Sequence, residues 1–328
     1  MRLAVVGGGS WGTALAAHLT RCGHAVGLWL RDPKAAAEIR DRGTNEAYLS
    51  GISLPPGIEA TSELGHALGA AEAVFMAVPS TASRSVYREA RAAIPRGAPL
   101  VSATKGIETD TLLRMSEVAA QELPGHPVAV LSGPSFAAEV AAEQPTAVVV
   151  ASMEREVAEA MQRVLANRTF RAYSSDDVVG VELAGALKNV IAIAAGIVDG
   201  LGYGHNTVAA LVTRGLAEIT RLAVALGGRP DTLAGLAGLG DLVLTCTGSL
   251  SRNRRVGQAL GRGESLAKAV AETRMVAEGI RTTQAAAVLA ERAGVEMPIV
   301  QQMRGVLYEG KRPRQAVDEL MLRSLKRE

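Results

Sequence analysis

Cysteine is scarce in this chain, and neither sign of charge is in large excess. The 328 residues include two cysteines, Cys22 and Cys246, which lie in separate segments and show no spacing typical of a metal or redox motif. A reducing compartment fits this usage. The net charge of +2 argues against nucleic acid or an anionic membrane surface as a partner. Any anion that the chain recognises should be small and held locally.

Long hydrophobic runs are absent as well. The first apolar run, Leu3 to Val6, follows one basic residue and ends at a glycine, so it is too short for a signal peptide. A membrane-spanning helix needs about 18 consecutive apolar residues. The best candidate, residues 183–198, is interrupted by Lys188. We therefore expect a cytoplasmic protein with no segment inserted in a membrane.

Lysine is rare too, since only six of the 35 basic residues are lysines. Lys188 is the only charged residue between Leu183 and Val198, a run that is apolar on every side of a helix and should be buried. A buried ammonium needs a partner or a polar cavity, and burial makes a lysine easier to deprotonate. Two interpretations stand at this point. Lys188 is an acid or base in a reaction, or its side chain reaches water or closes a structural ion pair.

The order of predicted elements divides the chain in two. Up to residue 175, β-branched runs alternate with Ala-rich stretches of helix length, which is typical of a parallel sheet covered by helices. Later residues show helical spacing almost throughout, so we predict domains at 1–175 and 176–328. The predicted strands are 3–6, 25–30, 72–78, 99–103, 128–131, 146–151 and 170–173. The predicted helices are 11–21, 34–42, 81–93, 112–122, 135–142, 154–165, 177–198, 206–226, 253–261, 278–293, 299–308 and 314–326.

A glycine pattern follows the first predicted strand. Gly7, Gly9 and Gly12 match Gly-x-Gly-x-x-Gly, in which the first glycine allows a tight turn, the second admits a pyrophosphate and the third lets helix and strand pack closely. Free N–H groups at the helix start bind the phosphates. With a strand before it and a helix after it, the pattern predicts a dinucleotide site rather than a merely tight turn.

The end of the second predicted strand bears on the choice of cofactor. Arg31 can hold the 2′-phosphate of NADPH, and Asp32 can hold the ribose hydroxyls of NADH. Because Arg31 is as close to the end of this strand as Asp32 is, we favour acceptance of NADPH, with NADH possible. A solvated charge pair at the strand end is the alternative.

Later loops also fall where an open α/β sheet binds ligands, at the carboxyl ends of its strands. They carry Lys105, Gly133 and Ser135. Gly133 would let the backbone approach a ligand, and Ser135 is predicted to cap the helix that follows.

The helical half adds an acid and a basic cluster. Asp241 follows a glycine-rich segment and is either a partner of Lys188 or a helix cap. Ser251, Asn253 and the three arginines at 252, 254 and 255 suggest a small-anion site at a helix start placed at Asn253, although a solvated basic face would look the same.

Together these features suggest hydride transfer to or from a small phosphorylated substrate. Six motifs, in order along the chain, resemble the bacterial NAD(P)-dependent sn-glycerol-3-phosphate dehydrogenases. They are Gly7-Gly-Gly-Ser-Trp-Gly-Thr-Ala-Leu-Ala16, Ala103-Thr-Lys-Gly106, Ser132-Gly-Pro-Ser-Phe-Ala137, Gly185-Ala-Leu-Lys-Asn-Val190, Gly238-Leu-Gly-Asp-Leu242 and Ser251-Arg-Asn-Arg-Arg255.

The resemblance implies a Rossmann-type, mostly parallel sheet domain followed by an all-α domain like the carboxyl-terminal domain of 6-phosphogluconate dehydrogenase. It implies the NAD(P)H-dependent reduction of dihydroxyacetone phosphate to sn-glycerol 3-phosphate for phospholipid backbones, a homodimer and no metal. Lys188 would be the general acid and base, with Lys105, Asp241 and Thr245 as further catalytic residues. The implied substrate contacts are Lys105, Gly133, Ser135, Lys188, Asn189, Asp241, Ser251, Arg252 and Asn253. The implied cofactor contacts are Gly7, Gly9, Ser10, Trp11, Gly12, Arg31, Tyr48, Lys105, Ala137, Arg252, Val276 and Glu278.

Two other functions fit parts of the pattern. A β-hydroxyacid dehydrogenase has a similar two-domain layout with a lysine and an asparagine on one helix, but in this chain Asn189 follows Lys188 directly and the basic cluster favours phosphate over carboxylate. A non-catalytic NAD(P)-binding regulator would keep the fold without needing Lys188, Asp241 and the basic cluster together.

Overall fold

The computed structural model describes residues 1–271 and 277–325. The chain divides into two compact units, each of which has most of its contacts within itself. The first comprises Met1–Glu108 and Leu113–Glu182, and the second comprises Thr109–Leu112 and Leu183–Glu328. The last strand ends at Ser175. The predicted domain boundary between residues 175 and 176 stays a prediction.

The first unit is built on one sheet. Its strands, within the described residues, are β1 (Arg2–Val6), β2 (Ala25–Trp29), β3 (Ile58–Thr61), β4 (Ala73–Met76), β5 (Leu100–Ser102), β6 (Val128–Ser132), β7 (Thr146–Ala151) and β8 (Phe170–Ser175). The order across the sheet is β3-β2-β1-β4-β5-β6-β7-β8, and every neighbouring pair is parallel except β6 and β7. Chain order reverses between β1 and β4, which is the ligand-binding position of such sheets. This confirms the Rossmann-type, mostly parallel sheet.

Helices cover both faces of this sheet. They are α1 (Ser10–Arg21), α2 (Pro33–Arg42), α3 (Leu64–Leu68), α4 (Ser80–Ala90), α5 (Met115–Glu122), α6 (Ala137–Ala141) and α7 (Arg155–Leu165). Successive residues of a strand face opposite sides. Leu3 and Val5 therefore belong to one buried core and Ala4 and Val6 to another. Burial on both faces explains why β1 is continuously apolar from Leu3 to Val6 rather than alternating.

Strand β3 was not predicted from the sequence. It has four residues, lies at the edge of the sheet and alternates between buried Ile58 and Ala60 and the more polar Glu59 and Thr61. So short a strand has no apolar run to reveal it. The helix predicted to begin at Leu112 begins instead at Met115, because Leu112 has a φ of 64° and cannot continue a helix.

The second unit is helical in its described residues. Its elements are α8 (Val178–Gly200), whose first turn lies in the first unit, α9 (His205–Ala225), α10 (Pro230–Ala234), a π-helical turn (Leu236–Gly240), α11 (Asp241–Thr247), α12 (Arg252–Gly261), α13 (Leu266–Ala271), α14 (Glu278–Ala293), α15 (Pro298–Tyr308) and α16 (Pro313–Met321). This confirms the predicted all-α second part. Four short elements, α10, the π turn, α11 and α13, were not predicted, because glycines and short lengths hide their periodicity.

Helix α8 is long and apolar enough to cross a membrane, judged by length and composition alone. It has 23 residues, a mean hydropathy of 1.7 over its most apolar stretch, and that stretch is entirely buried within the protein. Buried core helices of soluble proteins meet the same criterion. The sequence analysis did not count this helix as a membrane span, because Lys188 interrupts its run of apolar residues.

The buried carboxyl group of Glu218 should make the stability of the protein depend on pH. This carboxylate on α9 is 3% exposed and accepts hydrogen bonds from the first N–H groups of α15, at 2.8 Å from Ile299 and 3.3 Å from Val300. Burial raises the pKa of Glu218 to about 7 despite these bonds. Between pH 4.5 and 7 the folded protein therefore binds more protons here than the unfolded chain does, so this group makes stability fall as pH rises through that window.

We expect the Glu218→Gln variant to lose this part of the pH dependence, because a neutral amide keeps an acceptor and carries no charge to desolvate. The difference amounts to roughly 2–3 kcal/mol in the free energy of unfolding across the window. Urea unfolding at pH 5, 6, 7 and 8 measures it. Glu291→Gln, at an exposed position, is the matched control. An identical pH slope in the wild type and in Glu218→Gln would exclude Glu218 as the source.

Candidate active site

The three glycines of the turn after β1 have different surroundings. Gly7 has a φ of 115°, and a Cβ there would lie 2.8 Å from the carbonyl group of Ala77, which follows β4. A Cβ on Gly12 would lie 1.8 Å from the Gly7 oxygen. Gly9 is the N-cap of α1, and a Cβ there would meet no atom within 4 Å. The turn therefore provides backbone N–H groups, a helix N-terminus and open space, which suit a pyrophosphate.

Several predicted cofactor contacts lie around this turn or on neighbouring elements of the first unit. The Ser10 hydroxyl donates to the Tyr48 carbonyl oxygen at 2.6 Å, so the structure brings these two residues together. Trp11 is partly buried against the core, and Ala137 is the first residue of α6. Arg31 is exposed and lies two residues after the end of β2.

Asp32 has a structural task that separates it from Arg31. Its carboxylate accepts a hydrogen bond from the Lys34 N–H at 2.9 Å and caps α2. A capping carboxylate is less available to ribose hydroxyls. Arg31 is exposed and does not cap α2.

Lys105, Gly133 and Ser135 meet at one oxygen. The Lys105 ammonium and the Ser135 hydroxyl each donate to the Gly133 carbonyl oxygen, both at 2.9 Å. Gly133 has a φ of 132°, and a Cβ there would lie 2.9 Å from the Val148 Cα, so only glycine fits. The prediction that Ser135 caps the next helix is wrong. Helix α6 begins at Ala137 with Phe136 as its N-cap, and Ser135 turns back to Gly133 instead.

In the second unit, Lys188 forms a buried polar cluster with Asp241 and Thr245. The Lys188 ammonium donates to Asp241 Oδ1 and to Thr245 Oγ1, both at 2.7 Å. The three residues are 6%, 1% and 4% exposed. Thr245 donates its own proton to the Asp241 carbonyl oxygen at 2.6 Å, which leaves its oxygen lone pairs facing the ammonium. The predicted ion pair between Lys188 and Asp241 is confirmed.

Local structure brings Asp241 and Thr245 to the same side of α11. They are four residues apart and therefore share a helix face. The π-helical turn before Asp241 packs tightly, since a Cβ on Gly238 would lie 2.1 Å from the Leu233 carbonyl oxygen. The glycine-rich segment before Asp241 is thus a compact π-helical turn that leads directly into α11.

Two amides link the residue after Lys188 to the basic cluster. Asn253 Nδ2 donates to Asn189 Oδ1 at 3.0 Å, and the Gly279 N–H donates to Asn253 Oδ1 at 3.1 Å. Helix α12 begins at Arg252, one residue earlier than predicted, and the Ser251 hydroxyl caps it by accepting from the Arg254 N–H at 3.3 Å. The predicted substrate contacts Asn189 and Asn253 are thus brought together.

The three arginines of the cluster have different surroundings. Arg254 forms an ion pair with Asp199 at 2.9 Å, and the exposed Arg255 donates to the Leu250 carbonyl oxygen at 3.3 Å. Burial lowers the pKa of Arg252, and the charge of Arg255 adds to this while Glu278 opposes it. The predicted three-arginine anion site stays a prediction, and within it Arg252 is the arginine whose charge is penalised by burial. A neighbouring anion would compensate that partly buried charge.

Comparison with known proteins gives the same assignment for both parts of the chain. Residues 2–158 match the family model described as the NAD-dependent glycerol-3-phosphate dehydrogenase N-terminus, and residues 177–318 match its C-terminus. A protein of Geobacter sp. (strain M21) named glycerol-3-phosphate dehydrogenase [NAD(P)+] is 53% identical over 330 residues, covering 100% of this chain and 98% of that protein. One of Anaeromyxobacter dehalogenans with the same name is 53% identical, with 100% of both chains covered.

The chain belongs to the NAD-dependent glycerol-3-phosphate dehydrogenase family.

A solved structure supports this at the level of the fold. The glycerol-3-phosphate dehydrogenase of Coxiella burnetii superposes with a TM-score of 0.95 at 42% identity, covering 98% of this chain and 99% of the other. The predicted resemblance, the enzyme class and an NAD(P) cofactor are confirmed. The β-hydroxyacid dehydrogenase and the non-catalytic regulator gain no support, because both family models and the full-length relatives carry the dehydrogenase name.

Some features of this family member were not found from its sequence. Helices α8 and α12 touch backbone to backbone, since a Cβ on Gly196 would lie 2.0 Å from the Arg254 oxygen and one on Gly257 would lie 2.0 Å from the Ile193 oxygen. This close packing sets the position of Arg252 relative to Lys188. The sequence did contain a sign of this close helix packing, since glycines 196 and 200, and glycines 257 and 261, are four residues apart and so lie on one face of their helix.

The remaining predicted site residues are Glu278 and Val276. Glu278 is the first residue of α14. Val276 lies outside the described residues.

Proposed function

We propose that the protein catalyses the reversible reduction of dihydroxyacetone phosphate by NAD(P)H, with one proton, to sn-glycerol 3-phosphate and NAD(P)+. The observation that carries this assignment is the buried Lys188 ammonium held by Asp241 and Thr245. Bound NAD(P)H supplies the hydride that reaches C2. The purified protein should oxidise NADPH rapidly with dihydroxyacetone phosphate and very slowly with dihydroxyacetone. The loss of NADPH absorbance at about 340 nm measures both rates. Equal rates with both would refute a phosphate-dependent reaction.

Lys188 supplies the proton in this proposal. As hydride reaches C2, negative charge develops on the C2 oxygen, and the ammonium donates a proton to it. Solvent exchange then restores the proton on the amine. In the oxidative direction the amine accepts the hydroxyl proton of sn-glycerol 3-phosphate. Asp241 compensates the buried charge, Thr245 orients the ammonium, and Lys105 polarises the same carbonyl or contacts the substrate.

The phosphate of the substrate would be held at the start of α12. Ser251, Arg252 and Asn253 lie there, where a helix N-terminus adds N–H donors to a guanidinium. Asn189, Gly133 and Ser135 complete the proposed substrate contacts. Arg252 also belongs to the proposed cofactor contacts, with Glu278 and Val276.

We expect Arg252→Ala to raise KM for dihydroxyacetone phosphate by about 10- to 100-fold and to change kcat much less, because a charged hydrogen bond to the phosphate is made equally in the ground and transition states. Steady-state kinetics at saturating NADPH measures both constants. Arg255→Ala removes an exposed arginine three residues away and is the matched control. An unchanged KM in Arg252→Ala would remove this residue from the phosphate site.

The cofactor preference is proposed to depend on Arg31. We expect Arg31→Ala to raise KM for NADPH by about tenfold and to leave KM for NADH within about twofold, since only NADPH carries the 2′-phosphate. Raising the salt concentration should weaken the wild-type preference, because Arg31 is exposed. Arg42→Ala, at the end of α2, is the control. Equal effects on both cofactors would contradict the proposal.

In the cell, the reaction would supply the backbone of glycerophospholipids in the cytoplasm, with no segment inserted in a membrane. We also propose a homodimer formed through the second unit. Light scattering during size-exclusion chromatography should then give twice the chain mass of 34.0 kDa. A mass of one chain would refute the dimer.

A further inference from the structure

A buried asparagine outside the glycine motif holds the pyrophosphate-binding turn. Asn45 lies in the segment after α2 and is 0% exposed. Its Nδ2 group donates to the Gly8 carbonyl oxygen at 3.1 Å and to Thr13 Oγ1 at 2.8 Å. A carbonyl oxygen needs a donor, so the amide must present its NH2 group on this side. The Asn45 Oδ1 atom is buried without a hydrogen-bond partner among the described residues. The chain therefore tolerates an unsatisfied acceptor in order to make the two Nδ2 bonds.

The Gly8 carbonyl is fixed by more than one contact. The Thr13 hydroxyl donates to the same oxygen at 3.2 Å while it accepts from Asn45, so the three groups form a closed set of hydrogen bonds. Leu30 also packs closely against Gly8, since a Cβ on Gly8 would lie 2.2 Å from the Leu30 Cγ. The Gly8 peptide group has little freedom to rotate.

The orientation of this peptide determines where the next N–H points. In a planar trans peptide the C=O of Gly8 and the N–H of Gly9 point in opposite directions. Because Asn45 and Thr13 hold the Gly8 oxygen towards the protein interior, the Gly9 N–H is aimed away from it. Gly9 is the position where a Cβ would meet no atom within 4 Å. The Asn45 amide thus orients a donor towards the space proposed for the pyrophosphate.

The segment after Asn45 is tied to the same turn a second time. The Asn45 carbonyl oxygen accepts from the N–H groups of Tyr48 at 3.2 Å and Leu49 at 2.7 Å, which closes a turn of the chain. Within that turn the Tyr48 carbonyl oxygen accepts from the Ser10 hydroxyl at 2.6 Å. One short segment therefore contacts the residues on both sides of Gly9.

We propose that Asn45 is a positioning residue for dinucleotide binding, which holds the Gly8–Gly9 peptide so that the Gly9 N–H meets the cofactor's pyrophosphate. The proposal rests on the proposed dinucleotide site at the glycine-rich turn. Asn45 itself does not touch the cofactor. Its removal should weaken ligands that contain the pyrophosphate and leave those without it unaffected.

The test compares the wild type with Asn45→Ala, and with Thr13→Val as a variant that keeps side-chain shape and loses only the hydroxyl. Thr44→Val is the matched control, because the Thr44 hydroxyl bonds to Glu38 rather than to the glycine-rich turn. Fluorescence titration measures Kd for NADPH. Inhibition by adenosine 2′-monophosphate probes the part of the site that binds no pyrophosphate. Thermal melting shows that each variant is folded.

We expect Asn45→Ala to raise Kd for NADPH about tenfold or more, Thr13→Val to raise it less, and kcat at saturating NADPH to stay within about twofold. Inhibition by adenosine 2′-monophosphate should not change. An unchanged Kd for NADPH in both variants, or an equal loss for the two ligands, would overturn the inference. If wild-type protein bound no NADPH at all, the proposed function would fail instead.

Discussion

We expect the Lys188→Ala variant to lose about a thousandfold or more of kcat with dihydroxyacetone phosphate, and to retain a Kd for NADPH within about threefold of the wild type. The methyl group cannot donate a proton to the C2 oxygen, so the negative charge that develops there is left without its acid. The proposed dinucleotide site at the glycine-rich turn belongs to the first unit, whereas Lys188 belongs to the second. Steady-state kinetics and fluorescence titration measure the two effects separately.

A chemical rescue distinguishes loss of the proton donor from loss of folded structure. Methylammonium in the assay should restore part of the activity of Lys188→Ala, because it can occupy the vacated volume and donate a proton. Lys311→Ala is the control, since Lys311 pairs with Glu319 in the same unit and has no proposed part in the reaction. A kcat of Lys188→Ala within tenfold of the wild type would remove Lys188 from the mechanism.

The second large effect concerns stability. We expect Asp241→Ala to lower the free energy of unfolding by about 3–5 kcal/mol and to abolish turnover, because it leaves the Lys188 ammonium buried without its carboxylate. Urea unfolding measures the loss in stability. Glu159→Ala is a matched control, because it breaks the exposed ion pair with Arg155 on α7 and should change stability little.

The double variant Lys188→Met with Asp241→Leu separates the two consequences of this ion pair. Two apolar side chains of similar size remove both buried charges together, so stability should recover most of what Asp241→Ala loses. Activity should stay absent, since no proton donor remains. A double variant as unstable as Asp241→Ala would show that the loss comes from packing rather than from an uncompensated charge. An active one would contradict the proposed proton transfer.

Local sequence patterns predicted much of the fold and part of the site. The strand Thr146–Ala151 and the helix Glu278–Ala293 were predicted with their observed bounds, because apolar periodicity and flanking residues act over a few residues. The turn predicted between the first strand and the next helix is also present, and the need for glycine at position 12 is local, because a Cβ there would lie 1.8 Å from the Gly7 oxygen.

Predictions that depended on the partner of a side chain were less secure. Ser135 was expected to cap a helix, yet its hydroxyl donates to Gly133, and nothing in the sequence indicated that Arg254 pairs with Asp199. A serine near a helix start or an arginine in a basic run has several possible partners, and which one it meets depends on elements far along the chain. Asn45 had no local pattern at all, since its two partners lie more than thirty residues away.

The sequence by itself determined the alternation of strands and helices, the dinucleotide turn, and the need of Lys188 for a partner. These follow from backbone sterics and from the cost of burying a charge, which any chain with these residues must satisfy. Only the tertiary structure decided which residues meet that need. Asp241 and Thr245 contact Lys188 from more than fifty residues away along the chain. Arg254 forms an ion pair with Asp199, and Asn45 donates a hydrogen bond to Gly8 in the glycine-rich turn. Such contacts depend on how helices pack, and packing is a property of the whole unit rather than of any one segment.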